Sequence, residues 1–439
     1  MNVGFLNGRV QLRGGDCLAV IKTLDDNSID SAVMDPPYAL GTIAKRFSGV
    51  DVGADTQTSA DARSRSTSYA RLSSGFMGKK WDTGETAFAV EFWEHVLRVL
   101  KPGGHVVAFG GTRSYHRLAC AIEDAGFDIR DQLAWVYGTG FPKSHSVSKG
   151  IDRSKGVIGV VGEGASGRGT ETVSSLGNGL NVNFQVRPAY TPATDEARQW
   201  DGWGTALKPS WEPICLARKP LSEKTVAANV LRWGTGALNI DGTRIGVTDA
   251  AYAKNCSGDR GHADNRSRDM DFAMGCGSAS AIGRWPANVV HDGSDEVVAA
   301  FPDSKGQQGD LKETGKARPT KTCFGDMAAP TPHAARNDSG SAARFFYCAK
   351  AGKADRAGSK HPTVKPVKLM QWLCKLVTPP GGIVFDPFAG SGSTGVAAFL
   401  DGFRSLMIER EPEYLTDIAT RMGIIGRGLP DVVELEEAA

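Results

Sequence analysis

Apolar and polar positions fall into three regimes along the chain. Up to residue 137, short apolar runs alternate with amphipathic ones. Val10–Leu12 and Ile29–Met34 have strand length, and Cys17–Leu24 between them is compatible with a helix. Over Ala87–Leu100 the positions Phe88, Phe92, Val96, Val99 and Leu100 keep helical spacing, and Lys101-Pro-Gly-Gly104 stops the helix. His105–Phe109 predicts a strand ending in Gly110-Gly111, followed by a helix over 114–125 and a strand over 132–137. Such alternation predicts a parallel sheet. Between 150 and 350 the periodicity collapses: Gly, Ser, Asn and Arg dominate, with apolar islands such as Pro213–Ala217 and Ala237–Ile240. This predicts an irregular α+β insertion. Order returns with a helix over 367–376, a strand over 382–385, a helix over 394–400 and a strand over 405–408. Residues 41–80, rich in Ser, Thr, Gly and Arg, predict a mobile loop.

Composition narrows the class. A chain of 439 residues exceeds one ordinary core and predicts two domains, or one domain with a large insertion. With 51 Lys+Arg against 49 Asp+Glu, the net charge of +2 excludes a histone-like basic binder. A nucleic-acid surface must then be a local patch. Residues 311–360 offer one, with ten cations (Lys312, Lys316, Arg318, Lys321, Arg336, Arg344, Lys350, Lys353, Arg356, Lys360) against four acids. Arg63, Arg65, Lys79 and Lys80 are further candidates, although such runs are commonly solvated surface. No run approaches the roughly 18 apolar residues of a membrane span, and no signal-peptide pattern is present, so a cytoplasmic location is expected, with no membrane partner. The eight cysteines form no C-x-x-C pair and no Cys/His grouping. Neither a disulfide framework nor a metal site is expected.

Asp35-Pro36-Pro37-Tyr38 follows the Ile29–Met34 run. Two prolines cannot extend a sheet, so the backbone makes a rigid turn past the strand. The turn offers carbonyl acceptors without matching N–H donors, beside one carboxylate and one phenol ring. That set suits an exocyclic amine on a flat ring: Asp35 and the Pro36 carbonyl accept its two N–H groups, and Tyr38 stacks on the ring. The tetrapeptide resembles motif IV of the amino-methylating DNA methyltransferases, which act on adenine N6 or cytosine N4.

A second constellation is Asp386-Pro387-Phe388-Ala389-Gly390-Ser391-Gly392-Ser393-Thr394-Gly395, a strand end, a Gly/Ser turn and a helix start. Its glycines permit close backbone approach to a ligand, Ser393 or Thr394 can cap the helix, and Asp386 can hold an ammonium group. Glu409, at the end of the next strand, can take both ribose hydroxyls. Gly390-x-Gly392-x-x-Gly395 also fits a dinucleotide fingerprint, so an NAD-dependent oxidoreductase competes. Against it stand Asp386-Pro387-Phe388 ahead of the glycines and the lack of a second nucleotide half. The loop resembles motif I of the S-adenosylmethionine-binding methyltransferases, and Glu409 with Tyr414 resembles motif II. His361-Pro-Thr363-Val-Lys365-Pro366 resembles motif X, which lines the pocket for the methionine part of the cofactor. Gly15-Asp16-Cys17 resembles motif III, whose carboxylate accepts from the cofactor adenine.

The order III–IV, insertion, X–I–II resembles the β group of these enzymes, circularly permuted around a doubly wound Rossmann-like sheet. The resemblance implies a catalytic half over 1–150, a target-recognition insertion over 151–350, a cofactor-binding half over 351–425 and a flexible acidic tail over 426–439. It further implies S-adenosyl-L-methionine as cofactor, double-stranded DNA as partner, with a homodimer left open, and base flipping followed by direct transfer to adenine N6. Phe76 or Trp81 would assist Tyr38 in stacking. Segments such as Lys208-Pro-Ser-Trp-Glu-Pro-Ile214 resemble phage or prophage enzymes, and a phage-encoded protein of this kind is expected in the cytoplasm of its bacterial host. Cytosine N4 is the alternative target. Glutamine or RNA methylation and a catalytically silent DNA binder rank below it. Trp211, Trp233 and Trp285 are read as anchors of the insertion core or as base wedges.

Overall fold

The computed structural model describes residues 2–38, 86–138, 140, 144–157, 160–161, 190–246, 283–304, 340–349, 355–356, 359, 361, 363–426 and 433–434. The 41–80 loop with Arg63, Arg65, Phe76, Lys79, Lys80 and Trp81 lies outside the described residues, as do Pro362, Cys256, Cys276 and Cys323. So do all the basic positions of 311–360 except Arg344 and Arg356. The chain divides into two compact units, one of 1–138 with 211–439 and one of 139–210.

The first unit is built on a sheet whose strands are β1 Asn2–Phe5, β2 Val10–Gly14, β3 Ile29–Met34, β4 Leu100–Phe109, β5 Asp128–Val136, β6 Trp211–Arg218, β7 Val289–His291, β8 Tyr347–Cys348, β9 Ile383–Asp386, β10 Arg404–Glu409 and β11 Val433–Glu434. Their order is β8-β7-β5-β6-β4-β3-β9-β10-β2-β1-β11. Neighbours from β4 through β3, β9 and β10 to β2 are parallel. β6 runs antiparallel between β4 and β5.

Alternation explains why helices cover both faces. On β3, Ala32 and Met34 enter one core with Val106 and Ala108 of β4, whereas Val33 enters another with Val107 and Phe109. The first core is closed by helix α1 Cys17–Ile21, α2 Val90–Val99 and α3 Tyr115–Asp124, with Phe92, Trp93, Val96, Leu118 and Ile122 fully or nearly fully buried. Further along are α4 Val226–Trp233 and α5 Asp295–Ala300. The second face is closed by α6 Val367–Val377 and α7 Ser393–Leu400, and α8 Pro412–Ile425 packs a third cluster with β1 and β2. The fold is the doubly wound α/β sheet expected, with its halves drawn from opposite ends of the chain.

Two buried polar residues stitch those halves together. Asp30 on β3 accepts from the Ile383 N–H at 2.7 Å and pairs with Lys101 at 2.6 Å. Ser31 shares a 2.8 Å hydrogen bond with Thr378. Both side chains are thereby satisfied inside a strand buried along its whole length.

Three boundaries differ from the sequence reading. The 151–350 stretch is not all outside the sheet: it supplies β6, β7 and β8, because the Pro213–Ala217 island is buried between β4 and β5. The acidic tail supplies β11, which pairs with β1, a strand the periodicity did not show. β5 starts at Asp128, earlier than its apolar pattern shows, because its first five residues are exposed and, Ile129 apart, polar. Trp211 and Trp285 are solvent-exposed, so they do not anchor a core. Trp233 donates its ring N–H to Ser222 at 2.8 Å.

The second unit holds helices at Val147–Ser154 and Asp195–Gln199 and a two-stranded ribbon of 160–161 with 190–191. Buried Asp152 organises it, accepting from Ala193 N at 2.8 Å, Thr194 N at 3.1 Å, Thr194 Oγ1 at 2.8 Å and the Tyr190 hydroxyl. Among the described residues no helix is long and apolar enough to cross a membrane.

Candidate active site

The carboxyl ends of β3, β9 and β10 carry the two constellations. Phe385 of β9 lies opposite Ala32 of β3, so Asp386 is level with Val33 and Asp35 lies two residues further. With strands about 4.8 Å apart and a rise of about 3.3 Å per residue, the two aspartate backbones stand roughly 8 Å apart. Asp35 is close enough that its charge raises the proton affinity of Asp386. Glu409 ends β10, directly beside β9.

At the proline turn, the Tyr38 hydroxyl lies 2.9 Å from Asp35 Oδ1 and 2.9 Å from Glu212 Oε2. Ser114 Oγ fixes the turn by donating to the Tyr38 carbonyl at 3.0 Å. Lys365 was expected among the donor-pocket residues, but its ammonium meets this turn. Nζ lies 3.1 Å from Asp35 Oδ2, 2.7 Å from Glu212 Oε2 and 3.0 Å from the Tyr38 oxygen. It also sits 4.6 Å from the centre of the Phe109 ring. Burial opposes the charge on Lys365, yet the Asp35 and Glu212 carboxylates outweigh it and hold the ammonium pKa above its ordinary value. Burial, reinforced by the same carboxylates, pushes the Tyr38 phenol well above its usual pKa.

At the end of β9, the glycine loop turns through Gly390 (φ +53°) and Gly392 (φ +76°), both in the left-handed region. A Cβ on Gly390 would stand 3.0 Å from His361 Nε2, and one on Gly392 3.0 Å from Ile418. Gly392, not Ser393 or Thr394, takes the N-cap position of α7. Gly390 N–H donates to Glu409 Oε2 at 2.7 Å, and Glu409 Oε1 accepts from Arg410 and Glu411 N–H at 2.9 and 2.8 Å. Burial raises the Glu409 pKa. Asp386 is deeply buried and accepts from Phe388 N–H at 3.0 Å and from the Thr394 side chain. Burial pushes its pKa up to about 7. Pro387 is buried behind it, and the Phe388 ring packs 5.2 Å from Phe92.

The remaining expected residues lie around this loop. Gly15 N–H donates to the Glu409 carbonyl at 2.9 Å, which brings Asp16 beside the β10 end. Asp16 caps α1 through Oδ1, accepting from Leu18 and Ala19 N–H at 3.0 and 3.2 Å. The Thr363 carbonyl lies 2.8 Å from His361 Nδ1, and the His361 ring packs 4.4 Å from Tyr414, edge on.

Sequence reading missed two members. Arg421 on α8 is buried and reaches Ser391 O at 2.6 Å, Ser391 Oγ and Ser393 Oγ at 3.1 Å each, and Asp355 O at 2.7 Å. It ties the glycine loop to the segment before α6. Glu212 is the second residue of β6, and because β6 runs against its neighbours, its first residues project past Phe109 onto the carboxyl edge. One acid at the head of the Pro213–Ala217 island was the available signal. Among the described residues no group of three or more His, Cys, Asp or Glu could hold a metal ion.

Residues 29–421 match the model of the N6/N4 family described as DNA methylase. The type II methyltransferase M.HindIII of Haemophilus influenzae is 24% identical over 233 residues, 51% of this chain and 63% of the relative. The type II methyltransferase M2.DpnII of Streptococcus pneumoniae is 43% identical over 63 residues, 14% of this chain and 24% of the relative. The chain thus spans less than two thirds of either relative. Similar solved structures include the cytosine-N4-specific PvuII DNA methyltransferase, at TM-score 0.40 and 14% identity over 94% of this chain and 85% of that one. The M1.HpyAVI–SAM complex gives TM-score 0.37 and 14% identity over 94% of this chain and 98% of that one. With the family model spanning most of its length, the chain belongs to the N6/N4 DNA methylase family.

Proposed function

We propose that the chain is a site-specific DNA methyltransferase that moves the methyl group of S-adenosyl-L-methionine to adenine N6 in double-stranded DNA. One observation carries this reading: an amine-accepting proline turn and a glycine cradle with two buried acids share the carboxyl edge of adjacent parallel strands, where ligands of open α/β sheets bind.

The residues fit the donor. Asp386, protonated up to about neutral pH, is poised to ionise against an ammonium group, and Glu409 at the next strand end is assigned to the ribose hydroxyls. A Cβ at Gly390 or Gly392 would press on His361 or Ile418, so the loop holds its close turn without side chains. Asp16 is assigned to the donor's adenine amine, Thr363 and His361 to the wall of the methionine pocket. When bound, the donor supplies an electrophilic methyl group on a sulfonium.

The chain's own work is positioning. A target base flipped from the stack, at a cost of a few kcal/mol, stacks on Tyr38. Asp35 and the Pro36 carbonyl accept both N–H bonds of its amine, which turns the nitrogen lone pair toward the cleft. The 151–350 stretch, apart from the strands β6, β7 and β8 that it lends to the sheet, is assigned to target recognition.

Nucleoside mass spectrometry of DNA incubated with protein and donor tests this directly. N6-methyladenine is expected. N4-methylcytosine would transfer the same geometry to the other amine, and no methylated nucleoside on any substrate would overturn the proposal. Asp35→Ala should keep donor and DNA binding and abolish turnover; methylation near the unsubstituted rate would remove Asp35 from its role.

A further inference from the structure

The cluster at the proline turn has an uneven proton count. Lys365 Nζ has three N–H donors and three oxygens in reach, one each from Asp35, Tyr38 and Glu212, so its donors are all engaged. The Tyr38 oxygen is then flanked at 2.9 Å by two carboxylates, Asp35 and Glu212, with one hydroxyl proton to serve both contacts. A second proton would complete the chain of contacts from Asp35 through Tyr38 to Glu212. The Tyr137 hydroxyl, also hydrogen-bonded to Glu212, marks the far end of this chain. The Glu212 side chain is itself 18% exposed, so the end of the chain reaches water.

We propose that Glu212 is the terminal acceptor of the proton shed by the methylated amine, reached through the Tyr38 hydroxyl. The inference rests on the methyltransferase reading above. As the amine nitrogen bonds the incoming methyl it must release one N–H proton, and Asp35 takes it. Asp35 passes a proton to the Tyr38 oxygen while the Tyr38 hydroxyl proton moves to Glu212 Oε2. The phenol is neutral before and after, which suits a group whose ionised form is strongly disfavoured. Glu212 then gives the proton to water. Lys365 cannot be the acceptor, since it is already an ammonium; it holds the three oxygens together. Glu212 acts through Tyr38, Lys365 and Tyr137, its hydrogen-bond partners, and is a positioning and relay residue.

Rapid-quench single-turnover methylation in H2O and D2O tests this, using Glu212→Gln, Tyr38→Phe, the double variant and Glu212→Asp, with donor affinity from calorimetry. Glu212→Gln keeps the side-chain shape and should slow the single-turnover rate about 100-fold, the low end of general acid–base contributions. Donor affinity should stay within about twofold, since Glu212 is assigned no contact with the donor. The double variant should be no slower than the slower single variant, because both cut one path. Glu212→Asp should restore part of the rate, and the solvent isotope effect of the unsubstituted protein should shrink in Glu212→Gln. A Glu212→Gln rate within about twofold of the unsubstituted one, or losses that multiply in the double variant, would overturn the relay. Methylated product formed at full rate by Glu212→Gln sinks the relay alone, whereas no product from the unsubstituted protein sinks the underlying reading.

Discussion

Replacing Asp386 with Asn removes an ionisation that the end of β9 opposes. The folded protein holds this carboxyl protonated up to about pH 7, against an ordinary value of 3.8, and burial is the main cause. A carboxyl whose pKa is higher folded than unfolded binds protons more tightly in the folded state. Its contribution to stability is therefore undiminished below about pH 4, falls as pH rises through the folded pKa, and is level above it. A rise from 3.8 to about 7 corresponds to about 4 kcal/mol at the upper plateau, and the part falling between pH 5 and pH 8 is about 2–3 kcal/mol. Asn keeps an oxygen for the 3.0 Å bond from Phe388 N–H and carries no proton to lose. Urea unfolding of both proteins without donor, at pH 5, 6, 7 and 8, reads the difference. The stability of Asp386→Asn relative to the unsubstituted protein should rise by about 2–3 kcal/mol from pH 5 to pH 8. A difference that stays constant within about 0.5 kcal/mol would contradict this account, because the buried carboxyl would then titrate like one in water.

Donor binding near pH 6 should release close to one proton as an ammonium group pairs with Asp386, seen as a binding enthalpy that varies with the ionisation enthalpy of the buffer; Asp386→Asn should remove that dependence. Arg421→Ala leaves four acceptor contacts of a buried guanidinium unmet and should cost about 3–5 kcal/mol in urea unfolding, with donor affinity falling more than in a control variant on the exposed face of α8. Gly390→Ala forces a side chain into the left-handed region at about 1–2 kcal/mol, beside the His361 ring, and should weaken donor binding measured by calorimetry. Lys365→Met leaves two carboxylates facing each other across Tyr38 and should destabilise by about 3–5 kcal/mol in the same unfolding assay.

Much of the local structure was written in the order of residues. The apolar runs on 29–34 and 105–109 and the helical spacing on 88–100 report forces acting within a few residues and gave these elements, although β4 starts at Leu100, so that Lys101-Pro-Gly-Gly104 opens the strand as well as following the helix. The Asp35 turn and the Gly390 loop were legible for the same reason, since proline and glycine constrain their own backbone. Strands β7 and β8, two or three residues long, and the exposed start of β5 carry too little apolar pattern to be seen, and they exist through pairing with neighbours.

What the tertiary structure decided is which distant groups meet. Nothing local to Glu212 says that β6 enters the sheet reversed, and that reversal alone brings its head to the edge where Asp35 sits. Lys365 reads as part of a pocket segment, and its ammonium settles where two carboxylates repay the loss of hydration. Arg421 reads as one charge on an amphipathic helix until α8 packs and the serine oxygens surround it. A residue's own conformational limits are carried by its neighbours in sequence, whereas charge pairing and buried hydrogen bonds depend on distances that folding alone sets.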